Sequence, residues 1–321
     1  MTDGPPDVVC VGETMAVLAP SDGRRLAEAG ALALAVGGAE SNVACGLVGL
    51  GHRAAWVGRV GDDPLGRRIL AELRARGVDV DGVTTDPDRP TGLYLKDPGP
   101  EGTRAHYHRA GSAAAAMGPE SAELPALRGA RALHVTGVTA ALSDGCARLA
   151  TTLVARRTIG GPVVSFDVNH RPALWRGRPE PAASALLTLA RAADVVFVGR
   201  DEAEALWGTA TADEIRRLLA PAPLIVVKDA EHGATSFADD VATFVPARRV
   251  DVVEPVGAGD AFAAGYLAAL LEGRDPTARL RLGHLAAAAA LRTAADVPTL
   301  PPRTELDRLL ALDPATWSTR P

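Results

Sequence analysis

Between residues 130 and 230 the chain repeats one rhythm: a short apolar run, a polar loop, then an amphipathic stretch. The runs fall at 132–136, 163–167, 195–198 and 224–227, and the amphipathic stretches near 144–158, 181–193, 201–207 and 211–220. A strand apolar on both sides must be covered on both faces, and strands that alternate with helices pair in parallel. The rhythm therefore dictates an α/β fold built on a mainly parallel sheet. The flanking segments extend it. Residues 8–11, ended by Gly12, read as a buried strand, 54–60 as strand-like and 43–50 as a helix of small residues. Leu65, Ile69 and Leu73, four apart, predict a helix over 64–76. Segment 13–34 has broken patterning. Runs at 91–96 and 104–107 flank a turn at 97–102 and predict a hairpin with polar residues on both faces, which need not belong to the main sheet. Helices at 257–272 and 277–292 close the chain. Aromatic residues make up only 4% of the 321 positions, so the core must be aliphatic.

Charge and cysteine usage remove several classes of function. A net charge of −5 gives no footing for nucleic acid. The three cysteines, Cys10, Cys45 and Cys146, are far apart and form no C-x-x-C pair, which fits a reducing compartment and no zinc site. No basic leader and no apolar run of about 18 residues is found, so no membrane span is expected and the cytoplasm is the expected location. A Gly-x-Ser-x-Gly elbow and a Walker-type phosphate loop are both missing, which disfavours a hydrolase and a P-loop kinase. The first strand leads into Val11-Gly12-Glu13, not into a dinucleotide-binding glycine turn.

Parallel sheets place ligands beyond the C-terminal ends of their strands. Polar clusters stand at those places: Thr136-Gly137, Asp167-Val168-Asn169-His170-Arg171 and Lys228-Asp229, with Gly233 five residues on. A further stretch, Glu254-Pro255-Val256-Gly257-Ala258-Gly259-Asp260-Ala261-Phe262, couples a small-residue turn to one carboxylate at the mouth of an apolar helix. Small residues let backbone N–H groups approach an anion, and the helix N-terminus favours negative charge. Asp260 could then take a proton from an incoming hydroxyl. Read alone, Asp260 is more simply a helix N-cap after a glycine turn; its company with the other clusters favours a shared cleft.

With these residues in view, the chain resembles the ribokinase-like (PfkB-type) carbohydrate kinases over roughly residues 8 to 300. The resemblance rests on Gly37-Gly38 with Asn42, on Gly58-Arg59-Val60-Gly61-Asp62-Asp63-Pro64-Leu65-Gly66, and on the stretch 255–262. It implies a three-layer α/β/α sandwich, a single kinase domain over 1–315, and a small β-sheet lid inserted at about 13–36 and 91–109. It also implies ATP as donor and Mg²⁺ as its companion. Asp260 would be the base, and Gly257, Ala258 and Gly259 the anion hole. Lys228, Gly233, Ala258 and Gly259 would face the nucleotide, and Glu202 a metal-bound water. Tyr107-His108-Arg109-Ala110-Gly111-Ser112 and 167–175 are similar to segments of 2-keto-3-deoxygluconate kinases, as is Gly12-Glu13. That similarity places Gly38, Asn42, Tyr94, Tyr107, Arg109, Asn169 and Arg171 at the substrate, with the arginines suited to a sugar carboxylate. A neutral sugar such as fructose or ribose is the alternative, and a catalytically silent sugar- or nucleotide-binding regulator a further one.

Some positions depart from the family pattern. Gly199 replaces an Asn, Ala230 replaces a glycine of the nucleotide loop, and Glu254 stands where Asp is common. The last change puts activation by a monovalent cation in question. Lids in this family often pair, so a homodimer is a further expectation.

Overall fold

The computed structural model describes residues 4–100, 102–155, 161–238 and 241–319. Among the described residues the strands are β1 (Val8–Val11), β2 (Met15–Pro20), β3 (Leu32–Gly37), β4 (Ala54–Val57), β5 (Arg59–Gly61), β6 (Thr84–Asp86), β7 (Leu93–Asp97), β8 (Arg104–His108), β9 (Ala132–Thr136), β10 (Val163–Asp167), β11 (Val195–Gly199), β12 (Leu224–Asp229), β13 (Gly233–Ala238) and β14 (Val241–Pro246). Eight form the main sheet, in the order β14-β13-β12-β11-β10-β9-β1-β4. From β12 to β4 every pairing is parallel, and β13 and β14 add an antiparallel hairpin at one edge. β-Branched residues dominate the parallel strands, as a doubly covered sheet requires.

Alternation along β1 divides the core. Val8 and Cys10 pack among residues of the helices Ala39–Gly49, Ala258–Leu271 and Pro276–Leu291. Val9 and Val11 pack on the other face, among residues of Asp144–Ala155, Ala182–Ala192 and Ala212–Leu219. The result is a three-layer α/β/α sandwich with a mainly parallel sheet. Cys10, Cys45 and Cys146 are all buried free thiols.

A smaller sheet, β3-β2-β7-β8, lies outside the sandwich. It is mixed: β2 runs antiparallel to β3 and parallel to β7. The hairpin expected around 97–102 is β7–β8, and it stands in this sheet and not in the main one; β7 alternates between buried and half-buried positions. Strand-like 54–60 divides between two sheets. A Cβ on Gly58 would stand 2.4 Å from the Trp56 ring and 2.6 Å from the Gly12 carbonyl oxygen, so the break falls at that close approach.

Other expectations need correcting. The β13–β14 hairpin adds to the strands read from the sequence; β13, Gly-Ala-Thr-Ser-Phe-Ala, is built mostly of small residues that carry little apolar signal. The chain does not close at 292: helices Arg303–Leu310 and Pro314–Thr319 follow. They are anchored by Trp317, which is buried, donates Nε1–H to the Pro246 carbonyl at 3.0 Å and stacks under Arg281. The helix expected over 144–158 is seen as Asp144–Ala155, and 156–158 lie outside the described residues, as does Glu101 of the turn at 97–102. Among the described residues no helix is long and apolar enough to cross a membrane.

Candidate active site

Strand order reverses between β1 and β9, so the crevice expected to bind ligands opens there. The protein plugs it with Glu40. One carboxylate oxygen accepts from the Thr136 N–H at 3.1 Å and from the Thr136 and Thr139 hydroxyls, both at 2.7 Å. Burial drives its pKa up, and the hydroxyls oppose that only in part. The open cleft is displaced toward the ends of β10 and β12 and under the smaller sheet.

There, all the residues expected to act line one cavity of about 1120 Å³. Gly38 and Asn42 come from the start of the helix Ala39–Gly49. Tyr94 and Tyr107 come from β7 and β8, with Arg109 just beyond. Asn169 and Arg171 follow β10, and Glu202 belongs to the helix Arg200–Trp207. Lys228 lies near the end of β12, and Gly233 begins β13.

The helix Ala258–Leu271 is apolar all round and buried, in contact with Ala39–Gly49 and Pro276–Leu291. Its N-cap is Gly257, with φ +85° and no side chain to satisfy the first amides. An unsatisfied helix N-terminus suits an anion. Of its first three amides, Ala258 N–H alone finds a partner among the described residues, the Pro255 carbonyl at a long 3.3 Å. Gly257 is obligatory for a further reason: a Cβ would fall 2.4 Å from the Asp296 carbonyl oxygen.

Asp260 therefore does not cap its helix. Its Oδ2 accepts from Asn42 Nδ2 at 2.8 Å, and its Oδ1 lies 3.5 Å from Asn169 Nδ2. Asn169 holds a left-handed φ of +38°, which Asn tolerates better than most residues. The two asparagines thus orient the carboxylate. Burial pushes the Asp260 pKa up to about 7, against the Asn42 hydrogen bond. Lys228 Nζ donates to Asp167 Oδ2 at 2.8 Å and stands beside Gly259. Its burial works to lower its pKa, but Asp167 and Glu202 outweigh that and keep it a cation.

Several partners were not legible in the sequence. Arg109 is ion-paired with fully buried Glu13, which also accepts from the Ser112 hydroxyl at 3.0 Å. Arg109 Nε is buried and finds no acceptor among the described residues. Glu202 accepts the Gly199 and His170 N–H groups at 2.8 and 2.9 Å, so one oxygen caps its own helix and the other holds the loop after β10. Among the described residues no cluster of three metal-ligating side chains occurs.

Ala230 keeps the tight turn after β12 although it carries a Cβ, at φ +43°. Replacing it by glycine removes left-handed strain. Ala230→Gly should raise unfolding stability by about 1 kcal/mol. Urea denaturation checks this; an unchanged or lower midpoint refutes it.

Comparison with known proteins follows the same lines. The pattern of the pfkB family carbohydrate kinases matches residues 5–301. A 2-dehydro-3-deoxygluconokinase of Bacillus subtilis (strain 168) is 36% identical over 314 residues, 95% of this chain and 95% of that protein. Fructokinase-1 of Oryza sativa subsp. japonica is 31% identical over 319 residues, covering 94% and 97%. The crystal structure of a PfkB protein from Polaromonas sp. JS666 superposes with a TM-score of 0.84 at 36% identity, over 94% of this chain and 99% of that one.

Proposed function

The chain belongs to the pfkB family of carbohydrate kinases, ATP-dependent enzymes acting on sugars, and from that premise we propose that it phosphorylates a sugar acid, 2-keto-3-deoxygluconate first, with Asp260 as base. The observation that carries the base is its placement: a carboxylate held between Asn42 and Asn169, one helical turn from uncapped amides. Asp260 takes the hydroxyl proton as that oxygen bonds to the γ-phosphorus. The bond from phosphorus to the ADP oxygen breaks, and ADP leaves with its electron pair. The turn 257–259 and Lys228 meet the charge on the moving phosphoryl group. Mg²⁺ would enter on the triphosphate and neutralise it, and Glu202 would reach only its water. The four-stranded sheet would act as a lid within a single kinase domain over 1–315. Leu32 and Tyr107 are 40% and 44% exposed on that sheet, which supports pairing of two copies through it.

The choice of a sugar acid rests on Arg171 and Arg109. Arg171 lines the cavity with its side chain 50% exposed, and the buried Arg109 Nε has no acceptor among the described residues, which a substrate oxygen could supply. The Glu13–Arg109 pair supports the second reading, a neutral sugar such as fructose, because it leaves that wall with little net charge. An ADP-release assay with Mg-ATP separates them. The expected result is turnover with 2-keto-3-deoxygluconate or 2-keto-3-deoxygalactonate and little with fructose or ribose. Arg171→Ala should raise KM for the acid by roughly tenfold or more, the worth of a charge-assisted pair, and leave any fructose turnover unchanged. Turnover with fructose alone, or equal effects of Arg171→Ala on both substrates, would discard the acid. No turnover with any sugar would favour a silent regulator.

A further inference from the structure

Lys96 is one of only two lysines in the chain, and β7 carries it inward: its side chain is 7% exposed. Nζ donates to Asp296 Oδ1 at 2.7 Å and lies 4.0 Å from Glu254 Oε2. Tyr94, two residues earlier on the same strand, donates its hydroxyl to Asp296 Oδ2 at 2.7 Å. One strand thus occupies both oxygens of Asp296. The same aspartate touches the anion turn through its backbone, since its carbonyl oxygen fills the space a Cβ on Gly257 would need. Glu254 reaches that turn as well, because its Oε1 accepts from the Val256 N–H at 3.4 Å.

The charges make this junction sensitive. One ammonium faces two carboxylates, and Glu254 and Asp296 are only 7% and 8% exposed. Without the ammonium, two like charges would face each other with little water to screen them. They border the turn where an anionic phosphoryl group would arrive. The pair also crosses a structural boundary: Lys96 belongs to the four-stranded sheet, while Glu254 and Asp296 flank the sandwich helices that carry the turn.

We propose that Lys96 is a positioning residue for phosphoryl transfer, tying the four-stranded sheet through Asp296 and Glu254 to the turn at 254–257, so that the turn's amides are set only while that sheet is docked. The proposal rests on reading the turn as the phosphate site. Lys96 does not line the cavity, so its loss should act on kcat. A displacement of about 1 Å in groups that position a reaction can cost about 100-fold, and kcat of Lys96→Met should fall by roughly that factor while sugar KM stays within about threefold.

The experiment is steady-state kinetics of the whole protein with Mg-ATP and its best sugar, for Lys96→Met, Lys96→Ala and the charge-balanced double variant Lys96→Met/Asp296→Asn. The double variant leaves fewer unpaired buried charges and keeps the test open where the single variant does not fold. It should show the same kcat loss. Ammonium ion should restore part of kcat to Lys96→Ala by occupying the vacated space, whereas tetramethylammonium, too large for it, should not. Parent-like kcat in any folded variant overturns the proposal. So does a loss carried by sugar KM alone, which would make Lys96 part of the sugar site. Asp260→Asn is run alongside. If it turns over like the parent, the reading of the whole site fails; if it is inactive while Lys96→Met is parent-like, only the tie fails.

Discussion

Asp260→Asn lowers kcat by about a thousandfold or more and leaves sugar and ATP binding near parent values. General-base catalysis contributes roughly 10²–10⁴-fold, and asparagine cannot take the proton. The replacement should fold well. Asn169 Oδ1 is a buried acceptor with no partner among the described residues, and after a small rearrangement the new amide N–H₂ can donate to it while the amide oxygen keeps the Asn42 bond. Isothermal titration and coupled ADP release check both halves; parent-like turnover would remove Asp260 as the base.

Proton linkage gives the same substitution a second readout. Burial raises the Asp260 pKa from 3.8 to about 7. A carboxyl raised on folding binds its proton more tightly folded than unfolded. The folded state therefore loses stability as pH climbs from the ordinary carboxylate range toward 7, and the loss is complete above it. The neutral amide of Asp260→Asn resembles the protonated carboxyl at every pH. The variant should thus melt above the parent at pH 8, with the gap closing as pH falls through about 7 and below. In the parent, kcat/KM should drop about tenfold per pH unit below about 7, because only the free carboxylate is a base. A flat profile between pH 5 and 8 would contradict the assignment.

The second large effect is expected from one methyl group. Gly257→Ala puts a Cβ where the Asp296 carbonyl oxygen already stands, 2.4 Å away, on a residue with φ +85°. The neighbour is backbone, so it cannot swing aside. Either the turn leaves its left-handed conformation or the loop carrying Asp296 retreats, and both re-aim the first amides of the helix. Loss of one well-aimed backbone donor costs about 10²–10³-fold in kcat, and that is the expected fall. Stability should drop by about 1–2 kcal/mol, the penalty of a left-handed alanine. Kinetics and urea denaturation of one preparation measure both. Unaltered kcat would mean that these amides do not meet the transferring group.

The sequence shows some of this and hides the rest for physical reasons. The parallel strands are legible because a doubly covered strand must be apolar on both faces, as 195–198 and 224–227 are. The glycine turn and Asp260 stand out in the sequence because the chemistry proposed for them is local: four consecutive residues would supply donors, dipole and base. The edge hairpin β13–β14 escapes because Ala234, Ser236 and Ala238 give almost no alternation, and Gly233 reads as a loop residue until strand pairing is seen. Glu13 with Arg109, and Lys96 with Asp296, are 96 and 200 positions apart in the chain. Nothing local in either member names the other, since such pairs are made by the fold. Glu202 shows the reverse case: the helix-start capping role, the plainer reading of its position, is the one whose hydrogen bonds are seen.

The disposition of the two lysines has a practical side. Lys96 is locked beneath the small sheet, and Lys228 lies in the cleft with its side chain 19% exposed and bonded to Asp167. Every other basic side chain, histidines aside, is arginine. The outer surface therefore offers acylating reagents no lysine amine, so lysine-directed resins, dyes or cross-linkers find no lysine to couple to there. Whatever lysine acylation does occur must report the cleft, and a nucleotide seated beside Lys228 would act as its protecting group.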